Sequence, residues 1–216
     1  MLTYLLVALV AYLLGSIPFG YILVRFVRKE DIRSVGSGNI GATNVLRSGA
    51  KGLGLLTFAL DALKGYFAVV LALYLLRLGP VAAIPQGDAL AVAALGAILG
   101  HVFPIWLGFK GGKGVATAFG VLAALAPYGA LIALGIFVAV FGLSRYVSLA
   151  SVTAAAAYPL LALVWTRREH TPLLIAVVFA ISVLVILKHR ANLTRLWSGT
   201  EYRFGKKRAE GSASSA

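Results

Sequence analysis

Apolar residues gather in seven blocks, approximately 2–26, 53–76, 89–107, 115–127, 129–143, 147–165 and 171–188, with short polar, Gly- and Pro-bearing stretches between them. An α-helix needs about 20 apolar residues to cross a hydrocarbon core of about 30 Å, and most of these blocks approach that length. The pattern predicts an all-α, polytopic transmembrane helix bundle. Its weakest point is 115–143. As one helix it would be roughly 44 Å long, too long for the core without heavy tilt. Pro127-Tyr128-Gly129 offers a natural break, which divides the stretch into two short spans.

Composition supports the membrane assignment. Of 216 residues, 60% are hydrophobic and only 12% charged, and the mean hydropathy is +0.92. A soluble domain of this length has too little interior for so much apolar surface. The chain reads as one domain, 1–208, followed by a flexible tail, 209–216. The start, MLTYLLVALVAYLLGSIPFG, lacks the basic n-region and the A-x-A-like site of a signal peptide, so it reads as a retained first span. Its GSIPFG string predicts close packing and a kink.

Charge then chooses between six and seven spans. With seven spans and the N-terminus outside, sixteen Lys and Arg fall inside against three outside; with six the split is about 10 against 9. Cytoplasmic loops collect Lys and Arg, so seven spans with the C-terminus cytoplasmic are favoured. Arg167 and Arg168 are the local exception. Topology thus explains most of the net charge of +13 without any nucleic acid, although basic loops also suit anionic substrates and lipid headgroups. The absence of cysteine excludes disulfides, zinc–thiolate sites and thiol nucleophiles.

Three polar segments carry candidate chemistry. The first loop reads Ser34-Val35-Gly36-Ser37-Gly38-Asn39-Ile40-Gly41-Ala42-Thr43-Asn44-Val45-Leu46-Arg47. Glycines let backbone N–H groups approach an anion, Ser37, Asn39 and Thr43 add side-chain donors, and Arg47 can fork onto phosphate. Residues 36–41 match G-x-G-x-x-G, but no strand or βαβ unit surrounds them, so a dinucleotide site does not follow. An ordinary cytoplasmic loop explains the composition equally well. The third loop, Lys110-Gly111-Gly112-Lys113-Gly114, opens the helix that contains Thr117. A helix N-terminus with free N–H groups and two ammonium groups suits a phosphate. The Walker spacing fails, so ATP does not follow.

The tail begins Lys188-His189-Arg190-Ala191-Asn192. If the helix continues, His189 and Asn192 share a face. Beside a cationic loop, His189 is a candidate base or oxyanion donor; taken alone, it reads as an interfacial histidine in a basic flank. Asp61 and Lys64 stand three residues apart inside span two, where structural pairing and function are both open. His101 reads as a packed interfacial histidine. In the seven-span topology the two loops and the tail lie on one side.

SGNIGATNVLR, GHVFPIWLGFKGGKGVAT and KHRANLTRL followed by GTE resemble the three motifs of the bacterial membrane glycerol-3-phosphate acyltransferases that use acyl-phosphate. GSIPFG, DALKG and RYVSLAS extend the resemblance over nearly the whole chain. Ala191 departs from it, standing where many relatives carry Glu. The resemblance implies transfer of a fatty acyl group from acyl-phosphate to the sn-1 hydroxyl of glycerol 3-phosphate, giving lysophosphatidic acid and phosphate in phospholipid synthesis. It implies essential roles for Ser37 and Arg47, glycerol-phosphate binding by Lys110 to Gly114, catalytic roles for His189 and Asn192, a structural role for Glu201 and substrate contact for Ser148. It also implies a multi-pass protein of the cell inner membrane with a cytoplasmic active site, and functional coupling to the enzyme that makes acyl-phosphate.

Acyl-phosphate carries a good leaving group, so neutralising phosphates, orienting the hydroxyl and stabilising an oxyanion suffice, and no cofactor or metal is expected. The soluble-type acyltransferases use His-x4-Asp. Here the corresponding residues after His101, His170 and His189 are Trp106, Ile175 and Thr194, so that mechanism does not apply. Direct attack by the substrate hydroxyl is expected, with His189 as base or orienting group; an acyl-serine at Ser37, for which no Ser-His-acid arrangement is evident, and proton transfer to the substrate phosphate itself are the alternatives. A transporter or channel is the main rival, but polar groups at one surface and the lack of a repeat do not favour it.

Overall fold

The computed structural model describes residues 2–78, 84–166 and 170–205. The Arg167–Arg168 pair, Lys206, Lys207, Arg208 and the tail 209–216 from the sequence expectations lie outside these. The described residues form ten helices: α1 Leu2–Ser16, α2 Phe19–Arg28, α3 Ala42–Arg47, α4 Lys51–Leu78, α5 Gln86–Val102, α6 Val115–Leu125, α7 Pro127–Ser144, α8 Val147–Trp165, α9 Pro172–Lys188 and α10 Arg190–Trp197. No strand occurs among them.

The predicted blocks become helices with local causes for their ends. The first block breaks between Ser16 and Phe19, where Pro18 lacks the N–H that would continue the ladder, so α1 and α2 form one interrupted, 27-residue apolar element. Thr171 caps α9 by accepting the Leu174 N–H at 3.1 Å, with Pro172 at the first helical position. The break in 115–143 is real and falls at Ala126–Pro127.

Among the described residues five helical elements are long and apolar enough to cross a membrane, and the bent α9–α10 pair makes a sixth. The seventh apolar helix, α6, has 11 residues. At 1.5 Å per residue it is about 16 Å long, roughly half of the hydrocarbon core. Its shortness comes from Pro127, which stops it and starts α7. The α6–α7 hairpin nevertheless returns the chain towards the end of the bundle where α6 began.

Helix α5 lies at the centre, packed against α1, α4, α6 and α9. Its seam of Ala91, Ala94, Ala97 and Ile98 is fully buried. Lipid supplies no hydrophobic drive between helices, so close backbone approach must hold them together. A Cβ on Gly15 would lie 2.2 Å from the Ala97 carbonyl oxygen, and one on Gly120 would lie 1.8 Å from that of Ala62. These contacts lock α1 to α5 and α4 to α6. Large apolar side chains such as Leu55, Phe67, Leu131, Leu160 and Phe179 face outward, as lipid contact requires.

Candidate active site

Loop one, loop three and the chain after α9 converge at one end of the bundle. Ser37, Asn39, Thr43, Arg47, Lys113, Ser148, His189 and Asn192 line one polar cavity of about 110 Å³. Segments separated by as many as 155 positions in sequence thus share a wall, as their common sidedness required.

Loop one owes its shape to Asn44. This buried side chain donates to the carbonyls of Ile32 (3.2 Å), Val35 (2.9 Å) and Asn39 (2.9 Å) and accepts the Ser37 N–H at 2.9 Å. Four backbone points of the loop are thereby held by one amide, which fixes where Ser37 stands. Gly36 has φ +59°, and a Cβ there would fall 2.4 Å from the Asn44 oxygen, so only glycine fits. The sequence expectations passed over Asn44. An Asn inside a Gly- and Ser-rich loop, able to bond backbone on both sides, was the available signal.

Glu201 ties the remaining segments together. Its Oε1 accepts from Ser148 Oγ (2.9 Å) and Asn192 Nδ2 (2.7 Å), while Oε2 accepts from Arg195 Nε (2.8 Å). Arg47 Nη2 stands 3.8 Å from Oε1, with its guanidinium 4.3 Å above the Tyr202 ring. Burial alone would raise this carboxyl, but the hydrogen bonds from Asn192, Arg195 and Ser148 outweigh it and hold the group below its usual range. Lys113 donates to the Asn192 oxygen. Asn192 is therefore engaged at both ends, which suits an orienting group rather than a proton acceptor. Burial pushes the Lys113 ammonium down to about 8; Glu201 opposes this, and the charges of Arg47, Arg195 and Lys188 add to it. Arg47 Nε is buried without a partner among the described residues. A desolvated cation with an idle donor, facing the cavity, is suited to an anion.

The helix does not continue straight through His189. It bends by 53° between α9 and α10, and His189 sits in the bend. Asn192 still stays beside it, because the Asn192 N–H donates to the His189 carbonyl at 2.8 Å. The His189 ring is buried rather than interfacial. Its Nδ1 lies 2.8 Å from the Val185 carbonyl oxygen, which can only accept. Nδ1 therefore carries the proton, and Nε2 keeps a lone pair in the neutral ring. Burial pushes the imidazole down to about 4, reinforced by Lys113 and opposed by the Val185 hydrogen bond and Glu201.

Loop three contributes less than its composition promised. Lys110 is exposed and does not line the cavity. The Gly111 and Gly112 N–H groups donate to the carbonyls of Val102 (3.2 Å) and His101 (3.0 Å), so they are not free for phosphate. Thr117 is fully buried against α4, its backbone oxygen 2.3 Å from where a Gly65 Cβ would stand. What loop three presents is Lys113 and the start of α6, where Gly114 (φ +88°) lets the chain turn and the first N–H groups have no side-chain cap. Asp61 and Lys64 pair within the bundle at 2.6 Å, away from the cavity lining.

A second, apolar cavity of about 100 Å³ adjoins the first. Phe58, Val115, Phe137 and Ser151 belong to both walls. From that rim it runs between α6, α7, α8 and α9 to Leu122, Ala133, Tyr158 and Ile181. Sequence reading did not locate this cavity.

Residues 5–199 match the family model described as glycerol-3-phosphate acyltransferase. A glycerol-3-phosphate acyltransferase of Mesorhizobium japonicum is 52% identical over 205 residues, covering 94% of this chain and 97% of that one. That of Rhodopseudomonas palustris is 47% identical, covering 95% and 98%. Among solved structures, PlsY (YgiH), an integral membrane glycerol 3-phosphate acyltransferase in its glycerol 3-phosphate form, superposes with a TM-score of 0.83 at 40% identity, covering 94% of this chain and 96% of that one. Its lysophosphatidic acid form gives 0.80 at 39% identity, covering 94% and 95%. Matched along nearly its whole length in sequence and in fold, this multi-pass membrane chain belongs to the glycerol-3-phosphate acyltransferase family.

Proposed function

We propose that this protein transfers a fatty acyl group from acyl-phosphate to the sn-1 hydroxyl of glycerol 3-phosphate, giving lysophosphatidic acid and inorganic phosphate. One observation carries the reading: a cationic cavity holding Arg47, Lys113 and His189 shares a wall with an apolar cavity between helices. A substrate with a phosphate head and a hydrocarbon tail fits such a pair. The family membership and the solved relative with bound glycerol 3-phosphate support the acceptor.

Lys113, Arg47 and the first N–H groups of α6 neutralise the two phosphates. Ser37 hydrogen-bonds phosphate or the developing oxyanion. His189 Nε2 takes the proton of the attacking hydroxyl as its oxygen bonds to the acyl carbon. The bond from that carbon to the phosphate oxygen then breaks, and the proton passes to the departing phosphate. Asn192, Ser148 and Glu201 keep Lys113 and Arg47 aimed at the cavity.

The same reading places the site in the cytoplasm of an inner-membrane protein with seven apolar passages and an outside N-terminus. The short α6 does not disturb sidedness. Whether the α6–α7 hairpin crosses fully or dips halfway, both its ends lie on one face, so the loops keep their sides. Because the chain has no cysteine, Lys51→Cys and Gln86→Cys test this cleanly. An impermeant maleimide should label Cys at 86 in intact cells and Cys at 51 only after permeabilisation.

The decisive experiment is purified protein in detergent with palmitoyl-phosphate and labelled glycerol 3-phosphate. Lysophosphatidic acid should form, palmitoyl-CoA should not replace the donor, and Ser37→Ala should lower the rate of product formation about tenfold. Absence of product from the wild-type protein under every condition overturns the assignment.

A further inference from the structure

Three ionisable side chains are buried in the bundle and take no part in the mechanism above: Asp61 and Lys64 on α4 and His101 on α5. Lys64 Nζ lies 2.6 Å from Asp61 Oδ1, and His101 Nδ1 lies 3.6 Å from the same oxygen. Charged groups inside a membrane bundle are costly and persist where they do a task. Their contacts lead outward in two directions.

One direction leads to loop one. Lys64 Nζ donates to the Ile17 carbonyl at 2.8 Å, at the break between α1 and α2, where that oxygen also accepts the Phe19 N–H at 3.1 Å. Just past the break, Gly20 receives loop one so closely that a Cβ would fall 2.0 Å from the Ile40 carbonyl oxygen. Ile40 belongs to the loop that Asn44 shapes around Ser37.

The other direction leads to loop three. The Gly112 N–H donates to the His101 carbonyl, and the Gly111 N–H to that of Val102. A Cβ on Gly112 would stand 2.0 Å from His101 Nε2, so the imidazole ring is the floor on which Gly112 lies. The next residue is Lys113, which reaches Asn192 across the cavity.

We infer that Asp61, Lys64 and His101 form a positioning cluster, an ion pair with an imidazole packed beside it, that sets loop one and loop three in register so that Lys113 meets the glycerol-phosphate anion opposite Ser37. The inference rests on the acyl-transfer reading for the identity of that anion. His101 acts through Lys113; it touches no substrate. A side chain present only to stabilise the bundle would lower the yield of folded protein and leave the affinity of the folded fraction alone.

The test is a KM comparison on purified full-length protein. His101→Leu should raise the KM for glycerol 3-phosphate about tenfold while the KM for palmitoyl-phosphate stays within about twofold. His101→Gln, whose amide can still reach Asp61, should recover most of the loss. In a Lys113→Ala background, His101→Leu should change the KM for glycerol 3-phosphate by less than about twofold, because residues acting in series are not additive. If His101→Leu does not fold, Gly112→Ala carries the test, since its methyl group would displace the loop from the imidazole ring. Glycerol 3-phosphate-dependent shifts in Tm give the same affinities without turnover. Unchanged affinity in folded His101→Leu or Gly112→Ala, or additive losses with Lys113→Ala, would overturn the inference while leaving the acyl-transfer reading intact. A wild-type protein that binds glycerol 3-phosphate but makes no product would instead overturn the latter alone.

Discussion

The two adjoining cavities are built on opposite principles. In the polar one, side chains hold side chains: Glu201 bonds Ser148, Asn192 and Arg195, and Asn192 in turn holds Lys113. In the apolar one, serines turn away to their own helix or to a neighbour's backbone. Ser151 donates to the Val147 carbonyl and Ser182 to that of Ala155. The first can recognise charge and direction; the second can recognise only shape and length. An enzyme joining a water-soluble acceptor to a lipid donor needs both kinds of recognition side by side, which explains the shared rim of Phe58, Val115, Phe137 and Ser151.

The largest effect should come from the polar side. His189→Ala removes the imidazole that lines the polar cavity and should lower kcat by about a hundredfold or more, with both KM values nearly unchanged. Steady-state kinetics on purified protein reads this directly. A KM effect without a kcat effect would move His189 from proton transfer to binding and blur the division between the cavities.

The difference between the cavities also explains what the sequence could and could not reveal. Ser37, Arg47, Lys113 and His189 were legible because polar residues crowd into three short segments amid apolar blocks, whereas Glu201 was reached only through the family resemblance. The span pattern was legible because lipid demands long apolar runs. The parts that escaped depend on tertiary contact. Whether Gly111 and Gly112 offer their N–H groups to a phosphate depends on the end of α5, which takes them up. That His101 is buried rather than interfacial depends on its approach to Asp61. The apolar cavity is assembled from a few residues on each of α6, α7, α8 and α9, with Phe58 of α4 at its rim, and these helices are so apolar all round that no periodicity marks it.

pH should separate binding from proton transfer within the polar cavity. Lys113 is charged below about 8 and loses its charge above it, so the KM for glycerol 3-phosphate should climb as pH passes that value. Lys113→Arg should carry the alkaline limb beyond the measurable range, because guanidinium stays charged. His189 is neutral above about 4, so its limb belongs at the acid end, where protonation removes the lone pair. A profile of kcat/KM from pH 4 to 10 checks both limbs. An alkaline limb that stays put in Lys113→Arg would assign it elsewhere.

On the apolar side the response should depend on chain length rather than on pH. Ala133 is buried in the cavity wall beyond the shared rim. Ala133→Phe should fill that space and raise the KM for palmitoyl-phosphate by about tenfold, while a short-chain acyl-phosphate and glycerol 3-phosphate are used almost as before. Equal losses for long and short donors would mean that the acyl chain lies elsewhere.

The smallest effect should sharpen the contrast most. Tyr158 lines the apolar cavity, and its buried hydroxyl has no partner among the described residues. A polar cavity would have supplied one. An unsatisfied buried hydroxyl costs about 1–3 kcal/mol, so Tyr158→Phe removes a penalty rather than an interaction. It should leave kcat and both KM values unchanged and raise Tm in detergent by a few degrees, on the order expected for a gain of about 1 kcal/mol. If the variant instead loses activity severalfold, the hydroxyl meets substrate, and the second cavity reads polarity as well as shape.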